Sequence, residues 1–315
     1  MAIELNKQGN CATDYTGSGL GSCDITQFGD AKGIVLFEKG WSKTIASGTF
    51  NLTEYTNDVK GLNIFPYVGI YDFTQDTPEN EKNTSALGVL TEIRAGKPQF
   101  SFMFDKGSCF HKSLFNKRGN GLWDFGILFE EGILLATNQA MTELKAFDGG
   151  MLSVETLKLQ QGTDPQMSTA IIQLLDAIEF NAYHQFFRYS DVGDIDDVKG
   201  AIEVKVVVDP IEDGDTTFTA SVTSACNSDS TILGLDDANL WVLGGEQASI
   251  TPPLSNVSYN ASTGKYTFTV LFALAEDDTV KLTLSDGTYI VVEDATGNLY
   301  KGTSALVTVD AAASV

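Results

Sequence analysis

Three features of the sequence predict a mainly β protein of two domains with a single helix. Gln99-Phe100-Ser101-Phe102-Met103-Phe104 repeats with a period of two, as a strand with one buried face requires. Short apolar runs bounded by Gly, Asn and Asp recur along the whole chain, and one stretch stands out at helical spacing. The 315 residues are about twice the usual length of one domain. The expected architecture is an N-terminal antiparallel β-sandwich or barrel-forming domain over 1–200 and a second, C-terminal β-sandwich over 201–315.

The chain opens with Gly17-Ser18-Gly19-Leu20-Gly21-Ser22, too rich in small residues to form a core element by itself. Apolar stretches follow at 33–37, 48–52 and 62–73. The last is dense in aromatic and β-branched residues, yet Pro66 within it predicts an edge or a break. Residues 74–85, with Asp76, Pro78, Glu79, Glu81 and Lys82, read as a solvent-exposed loop. After the alternating strand at 99–104, Asn116-Lys117-Arg118-Gly119-Asn120-Gly121 reads as a basic loop tip. Runs at 125–129 and 133–136 flank Glu130-Glu131-Gly132 as a hairpin, and a second hairpin is expected where 144–147 and 151–159 flank Asp148-Gly149-Gly150. The helix is placed at 165–180. Thr163-Asp164-Pro165 offers an N-cap residue with Pro at the first helical position, and Met167, Ile171, Leu174, Leu175 and Ile178 recur at three- and four-residue steps. Residues 170–175 also read as a buried strand, which is the alternative to that helix.

From Tyr189 the chain turns acidic, through Asp191, Asp194, Asp196 and Asp197, which places a domain boundary near 195–202. Strand-like runs then recur at 202–208, 216–223, 240–243, 265–272, 280–284, 289–292 and 305–309, with turn signals at Gly264 and Asp286-Gly287. About seven strands in roughly 110 residues, with Trp241 on an early-middle strand, match an immunoglobulin-like sandwich. Cys226 stands alone there, so the bridge-free form of that fold is expected.

Composition narrows the function classes. With 42 acidic and 20 basic residues the net charge is −22, a surface that repels phosphate and anionic lipid and disfavours groove-reading DNA binding and membrane docking. A wall that nucleic acid must slide past without sticking is the exception. Residues 201–315 carry 16 acidic and 4 basic residues, leaving −10 on the first 200. No basic segment followed by an apolar one succeeds Met1, and no apolar run approaches the roughly 20 residues of a membrane span, so synthesis in a cytoplasm is expected. Cys11, Cys23, Cys109 and Cys226 contain no C-x-x-C pair and read as free thiols; a Cys11–Cys23 bridge closing the Gly-rich segment is the alternative.

The residues that carry chemistry are sparse. His111 and His184 are the two histidines, and neither lies beside a Ser or Cys elbow. Cys109-Phe110-His111 would share a face on a strand and reads as a partly buried polar pair, and His184 sits in an aromatic cluster as a packing residue. Gly17-x-Gly19-x-Gly21 lacks the strand, helix and glycine offset of a dinucleotide loop. Asp236-Asp237, Asp277-Asp278 and Glu293-Asp294 suggest calcium, but no D-x-[DN]-x-[DN]-G loop accompanies them and solvated charge is the reading adopted. Asn51, Asn83, Asn256 and Asn260 begin N-x-[ST] tripeptides that carry no glycosylation meaning in such a context. The sequence therefore names no catalytic, cofactor-binding or metal-ligating residue, and a non-enzymatic protein is expected.

Successive hairpins with one helix, a Gly-rich N-terminal segment, long loops and an appended acidic immunoglobulin-like domain resemble the major tail tube protein of long-tailed bacteriophages. The resemblance lies in the domain plan over the whole chain. It implies a virion protein, assembled in a host bacterial cytoplasm, that stacks as rings with DNA passing through an inner barrel of sheets. Residues 1–50 and the 74–86 and 105–121 loops would make ring-to-ring contacts, and 202–315 would decorate the exterior. Its partners would be copies of itself and other virion structural proteins, with non-specific DNA passage and no membrane. A sheet with open edges gains from such a ring, because edge-to-edge pairing removes them. A head-decoration, head-fibre or head-to-tail connector protein is the alternative. A carbohydrate-binding adhesin module, stacking Trp241, Tyr259, Tyr266 and Tyr289 on sugars, is the second.

Overall fold

The computed structural model of the chain describes residues 28–44, 51–85, 88, 90–140, 142–162, 165–188, 199–226, 230–244 and 254–311, in two units: the chain from Lys199 onward, with the short segment Val59–Leu62, forms the second, and the rest forms the first. In chain order the first unit contains β1 (Ala31–Glu38), β2 (Ser42–Thr44), helix α1 (Leu52–Lys60), β3 (Ile64–Val68), β4 (Asp72–Gln75), β5 (Glu81–Thr84), β6 (Leu90–Arg94) and β7 (Gln99–Phe104). Helix α2 (Ser108–Asn116), β8 (Gly119–Asn120), β9 (Trp123–Phe129), β10 (Gly132–Thr137), β11 (Glu143–Lys145), β12 (Gly149–Val154), β13 (Ser168–Leu174), α3 (Ala177–Ala182) and β14 (His184–Arg188) follow.

Two antiparallel sheets make the core of this unit. One runs β2-β11-β10-β9-β1-β3, with β14 also paired to β10; the other runs β4-β7-β13-β12-β8. The alternation at 99–104 does what its period requires: Phe100, Phe102 and Phe104 are buried while Gln99, Ser101 and Met103 are half-buried. These phenylalanines join Ile34, Leu36, Phe125, Ile127 and Phe147 of the facing sheet in one apolar cluster. Strands β1 and β10 are buried over nearly continuous runs rather than at alternate positions, so both of their faces are covered. The expected hairpin at 125–136 is present as β9 and β10, with Ile133 opposite Leu128. Pro66 lies in β3, which pairs β1 and stands at the end of its sheet, where a strand without one N–H is tolerated.

Several expectations are corrected. The stretch read as a helix over 165–180 is strand β13 followed by α3. Ser168, Ala170, Ile172 and Leu174 are buried at every second position, and β13 pairs β7 on one side and β12 on the other, so both ladders depend on its being extended. The alternative, a strand over 170–175, describes the segment. The helix that does form begins at Asp176, whose carboxylate accepts the Ile178 N–H at 2.7 Å. Thr163 and Asp164 lie outside the described residues, as does the Gly17–Gly21 motif. The second hairpin is absent: β11 and β12 belong to different sheets, and Asp148-Gly149-Gly150 is the crossing between them. Gly149 is required there by close approach, since a Cβ would stand 1.9 Å from the Trp123 carbonyl oxygen.

Among the described residues two further α-helices accompany α3, where the sequence predicts one. Helix α1 starts with a local signal: the Asn51 side chain accepts the Glu54 N–H at 3.0 Å, with Glu54 three residues on as in a capping box. Helix α2 occupies the segment read as a loop over 105–121 and buries His111 and Leu114. Residues 74–85 hold strand β5, which pairs β6 as a separate two-stranded ribbon.

The second unit is a sandwich of the immunoglobulin-like kind. Its strands are β15 (Ile202–Val208), β16 (Ile211–Glu212), β17 (Thr217–Ser224), β18 (Trp241–Gly244), β19 (Leu254–Asn260), β20 (Lys265–Val270), β21 (Thr279–Leu284), β22 (Val292–Glu293), β23 (Leu299–Lys301) and β24 (Val307–Asp310). One sheet runs β19-β20-β17-β15-β23-β22 and the other β16-β24-β21-β18. Between β15 and β16 the chain changes sheet, and β16 then runs parallel to β24. Trp241 packs edge-on against Phe268, with ring centroids 5.1 Å apart, and donates its indole N–H to the Leu235 carbonyl at 2.8 Å. The Tyr266 hydroxyl donates to the Ile232 carbonyl at 2.8 Å, so a strand residue fixes the connection that precedes β18.

Replacing Phe102 by Ala is expected to cost the first unit about 3–5 kcal/mol, because the side chain is fully enclosed between the sheets. Urea unfolding followed by tryptophan fluorescence at Trp41 and Trp123 reads that loss.

Candidate assembly surface

The crossing from β11 to β12 is held by two buried carboxylates. Asp124, on β9, accepts the Gly149 N–H at 3.0 Å, the Gly40 N–H at 2.8 Å and the Lys39 ammonium at 2.6 Å. Glu179, on α3, accepts the Asp148 N–H at 2.7 Å and forms an ion pair with Lys145. Lys39 also reaches Asp148 at 3.0 Å. Burial pulls the Lys39 and Lys145 ammonium groups down, but hydrogen bonds and the charge of Asp124, Asp148 and Glu179 outweigh it, so both hold their protons above the ordinary lysine value. Every part of this cluster is engaged with backbone or counter-ion, which makes it a structural clamp rather than a general base. It has no local signature in the sequence, because its members lie as much as 140 residues apart, from Lys39 to Glu179.

The singled-out histidines and cysteines have structural places. His111 is buried on α2, its Nδ1 3.2 Å from the Ser168 hydroxyl and its ring stacked on Phe115. It does not share a strand face with Cys109, since both are on the helix. Cys109 and Cys226 each take part in a disulfide, which corrects the reading of free thiols for both; Cys226 is the single cysteine of residues 201–315, so that domain has no bridge of its own. Cys11 and Cys23 lie outside the described residues. The half-buried His184 places its Nδ1 2.9 Å from the Phe180 carbonyl.

The acidic doublets are also used locally. Asp237 accepts the Asn239 N–H at 2.9 Å, and Asp294 closes its turn by accepting the N–H groups of Thr296 and Asn298, both at 2.8 Å. Among the described residues no group of three His, Cys, Asp or Glu converges to hold a metal, and no helix is long and apolar enough to cross a membrane. Trp241 and Tyr266 are core residues, and Tyr259 packs against the Tyr266 ring, so these three do not stand free as a sugar-stacking platform.

The first unit also presents a separate two-stranded ribbon. The residues of β5 are all exposed, as is the large apolar side chain of Leu90 on β6. Across the ribbon Glu81 stands opposite Arg94 and Lys82 opposite Glu92. Its base is fixed: Gly96 donates its N–H to the Asn80 side chain at 2.9 Å, and a Cβ on Gly96 would lie 1.7 Å from the Pro78 carbonyl oxygen. A two-stranded ribbon by itself is marginal in water. The outer strands of its neighbouring sheet are short as well, four residues in β4 and two in β8.

Truncating Asp124 to Ala strands two backbone donors and Lys39 and is expected to cost about 3 kcal/mol, whereas Asp148→Ala, at a half-exposed carboxylate, is expected to cost under about 1 kcal/mol. Urea midpoints of the two variants separate these outcomes. A lysine whose pKa is raised in the folded state stabilises fully below its unfolded value of about 10.4 and loses that contribution as pH climbs through the folded value. Tyr266 acts in the same direction: burial pushes its phenol from 10.0 to about 12, so the unfolded chain ionises first between those values. Denaturation curves at rising pH are thus expected to show a midpoint that falls on the alkaline side, and a Tyr266→Phe variant to fall less. No known protein-family model matches the chain, and no curated protein is significantly similar to it.

Proposed function

We propose that the chain is a structural protein of a virion that self-assembles, into the stacked rings of a phage tail tube, with the immunoglobulin-like unit on the outside of the particle. The observation that carries this reading is the β5–β6 ribbon, which is fixed at its base and exposed along β5. Ordering such an element costs conformational entropy that a lone chain does not recover, and packing it on a neighbouring copy recovers it. Short outer strands beside it leave room for edge-to-edge pairing in a closed ring, which is how sheets lose their edges. The chain's acidity agrees with a conduit from which DNA must glide, since a wall of like charge holds phosphates off.

Negative-stain images and light scattering of the purified protein test the proposal. Rings or tubes are expected from the intact chain, and replacing residues 81–94 by a short Gly-Ser turn is expected to abolish them while leaving the urea midpoint within about 0.5 kcal/mol of the parent. A monomer at high concentration would refute it, and tubes that persist without residues 81–94 would remove the ribbon as its cause.

A further inference from the structure

Residues 105–121 have a basic excess, and a tip of the second unit is densely acidic. Residues 105–121 contain Lys106, Lys112, Lys117 and Arg118 against Asp105 alone, in a protein of net charge −22. Lys106, Lys112 and Arg118 are exposed, and none has an ion pair among the described residues. Arg118 is held rather than loose: its guanidinium lies 3.6 Å from the Phe115 ring centroid and donates to the Phe115 carbonyl at 3.0 Å. Lys112 precedes Phe115 by one helical step, so a half-buried aromatic ring is flanked by two cations.

The second unit holds the mirror image of that composition. Leu271 and Phe272, 59% and 66% exposed, follow β20 directly. The chain beyond them is laced to the loop after β16: Gly214 donates to the Leu274 carbonyl at 2.8 Å, Leu274 to the Asp215 carbonyl at 2.9 Å, and Glu276 to the Asp213 carboxylate at 3.2 Å. Glu212, Asp213, Asp215, Glu276 and Asp277 lie on these two laced segments together with the apolar pair, and residues 209–217 and 271–279 contain no lysine or arginine. An exposed leucine and phenylalanine ringed by carboxylates have the layout of a docking surface, an apolar centre with a charged rim.

We propose that this tip, Leu271 and Phe272 within their carboxylate rim, docks on the α2 face of a second copy of the chain, with Lys112 and Arg118 meeting Asp213, Asp215 and Glu276. The occupant is argued from charge: on an acidic chain the 105–121 segment gathers four cations against one carboxylate, so it is a surface of another copy that attracts a carboxylate-rimmed tip. Such a contact joins two different patches, so it either repeats from copy to copy, as a ring or a filament, or is made twice between two copies. The inference rests on the self-assembly reading and adds to it a role for the second unit between copies.

Charge reversal of exposed residues tests it on the full-length protein. Lys112→Glu with Arg118→Glu, and separately Asp213→Lys with Glu276→Lys, are each expected to weaken self-association measured by sedimentation velocity at low salt by on the order of tenfold to a hundredfold, since like charges are set face to face. Combining all four changes in one chain is expected to restore association, and Phe272→Ser to weaken it with little change in its salt dependence. Far-UV circular dichroism matching the parent confirms that each variant is folded. If the parent associates and both reversals leave it unchanged, or the fourfold variant fails to regain association, the docking is wrong while self-assembly stands. If the parent itself remains a monomer, self-assembly fails and the docking with it.

Discussion

The Asp124 carboxylate is the constraint on which the first unit turns. A chain that leaves one sheet and enters another must abandon its ladder for a residue or two, and the N–H groups it exposes there are buried by the sandwich it is closing. Asp124 takes up Gly149 and Gly40, and Glu179 takes up Asp148, so the donors that no strand can satisfy are satisfied by charge. The lysines beside them neutralise what burial would otherwise make prohibitive. The position of Gly149 sets the register of β12 on β13, and β13 sets that of β7, whose phenylalanines are the centre of the core. Two side chains on β9 and α3 thereby fix the alignment of a five-stranded sheet.

Legibility in the sequence followed the range of the interaction concerned. Strand β7 was plain, because one buried face imposes a period of two that no neighbour is needed to reveal, and the β9–β10 hairpin was plain because its turn is local. Strand β13 was misread because Met167, Ile171 and Leu174 satisfy a helical spacing as well as Ser168, Ala170 and Ile172 satisfy an extended one; two flanking strands decide between them, and those lie far away in sequence. Asp148-Gly149-Gly150 carried a true glycine signal with the wrong cause, close approach to Trp123 rather than a hairpin turn. Helix α1 could have been found from Asn51 and Glu54, had that asparagine been weighed as a cap. Helix α2 could not: it starts at Gly107 with no side-chain cap, and Phe110, His111 and Leu114 face a core assembled from distant strands. The clamp and the exposure of β5 are properties of the folded arrangement and have no local signature.

The distribution of charge separates what is structural from what is available. Lys39, Lys43 and Lys145 are each spent on carboxylates within the first unit, and Lys265 on Asp209 within the second. Their replacement acts on stability. Lys106, Lys112 and Arg118 are outside this set, and so are the carboxylates around Leu271 and Phe272. In a protein whose acidic residues outnumber the basic two to one, cations left without an internal partner are the scarcer resource, and where they stand restricts where another acidic body can approach.

The parallel pairing of β16 with β24 has a mechanical side. Ile211 lies beside Val309 and Glu212 beside Asp310, so strands near the two ends of the second unit run alongside each other in the same direction. Tension drawing those ends apart loads such a pair in shear, with its hydrogen bonds strained together instead of unzipping singly as in a peeled hairpin. The unit is thus wired to resist stretching along the chain, a useful property in any part through which pulling force is transmitted.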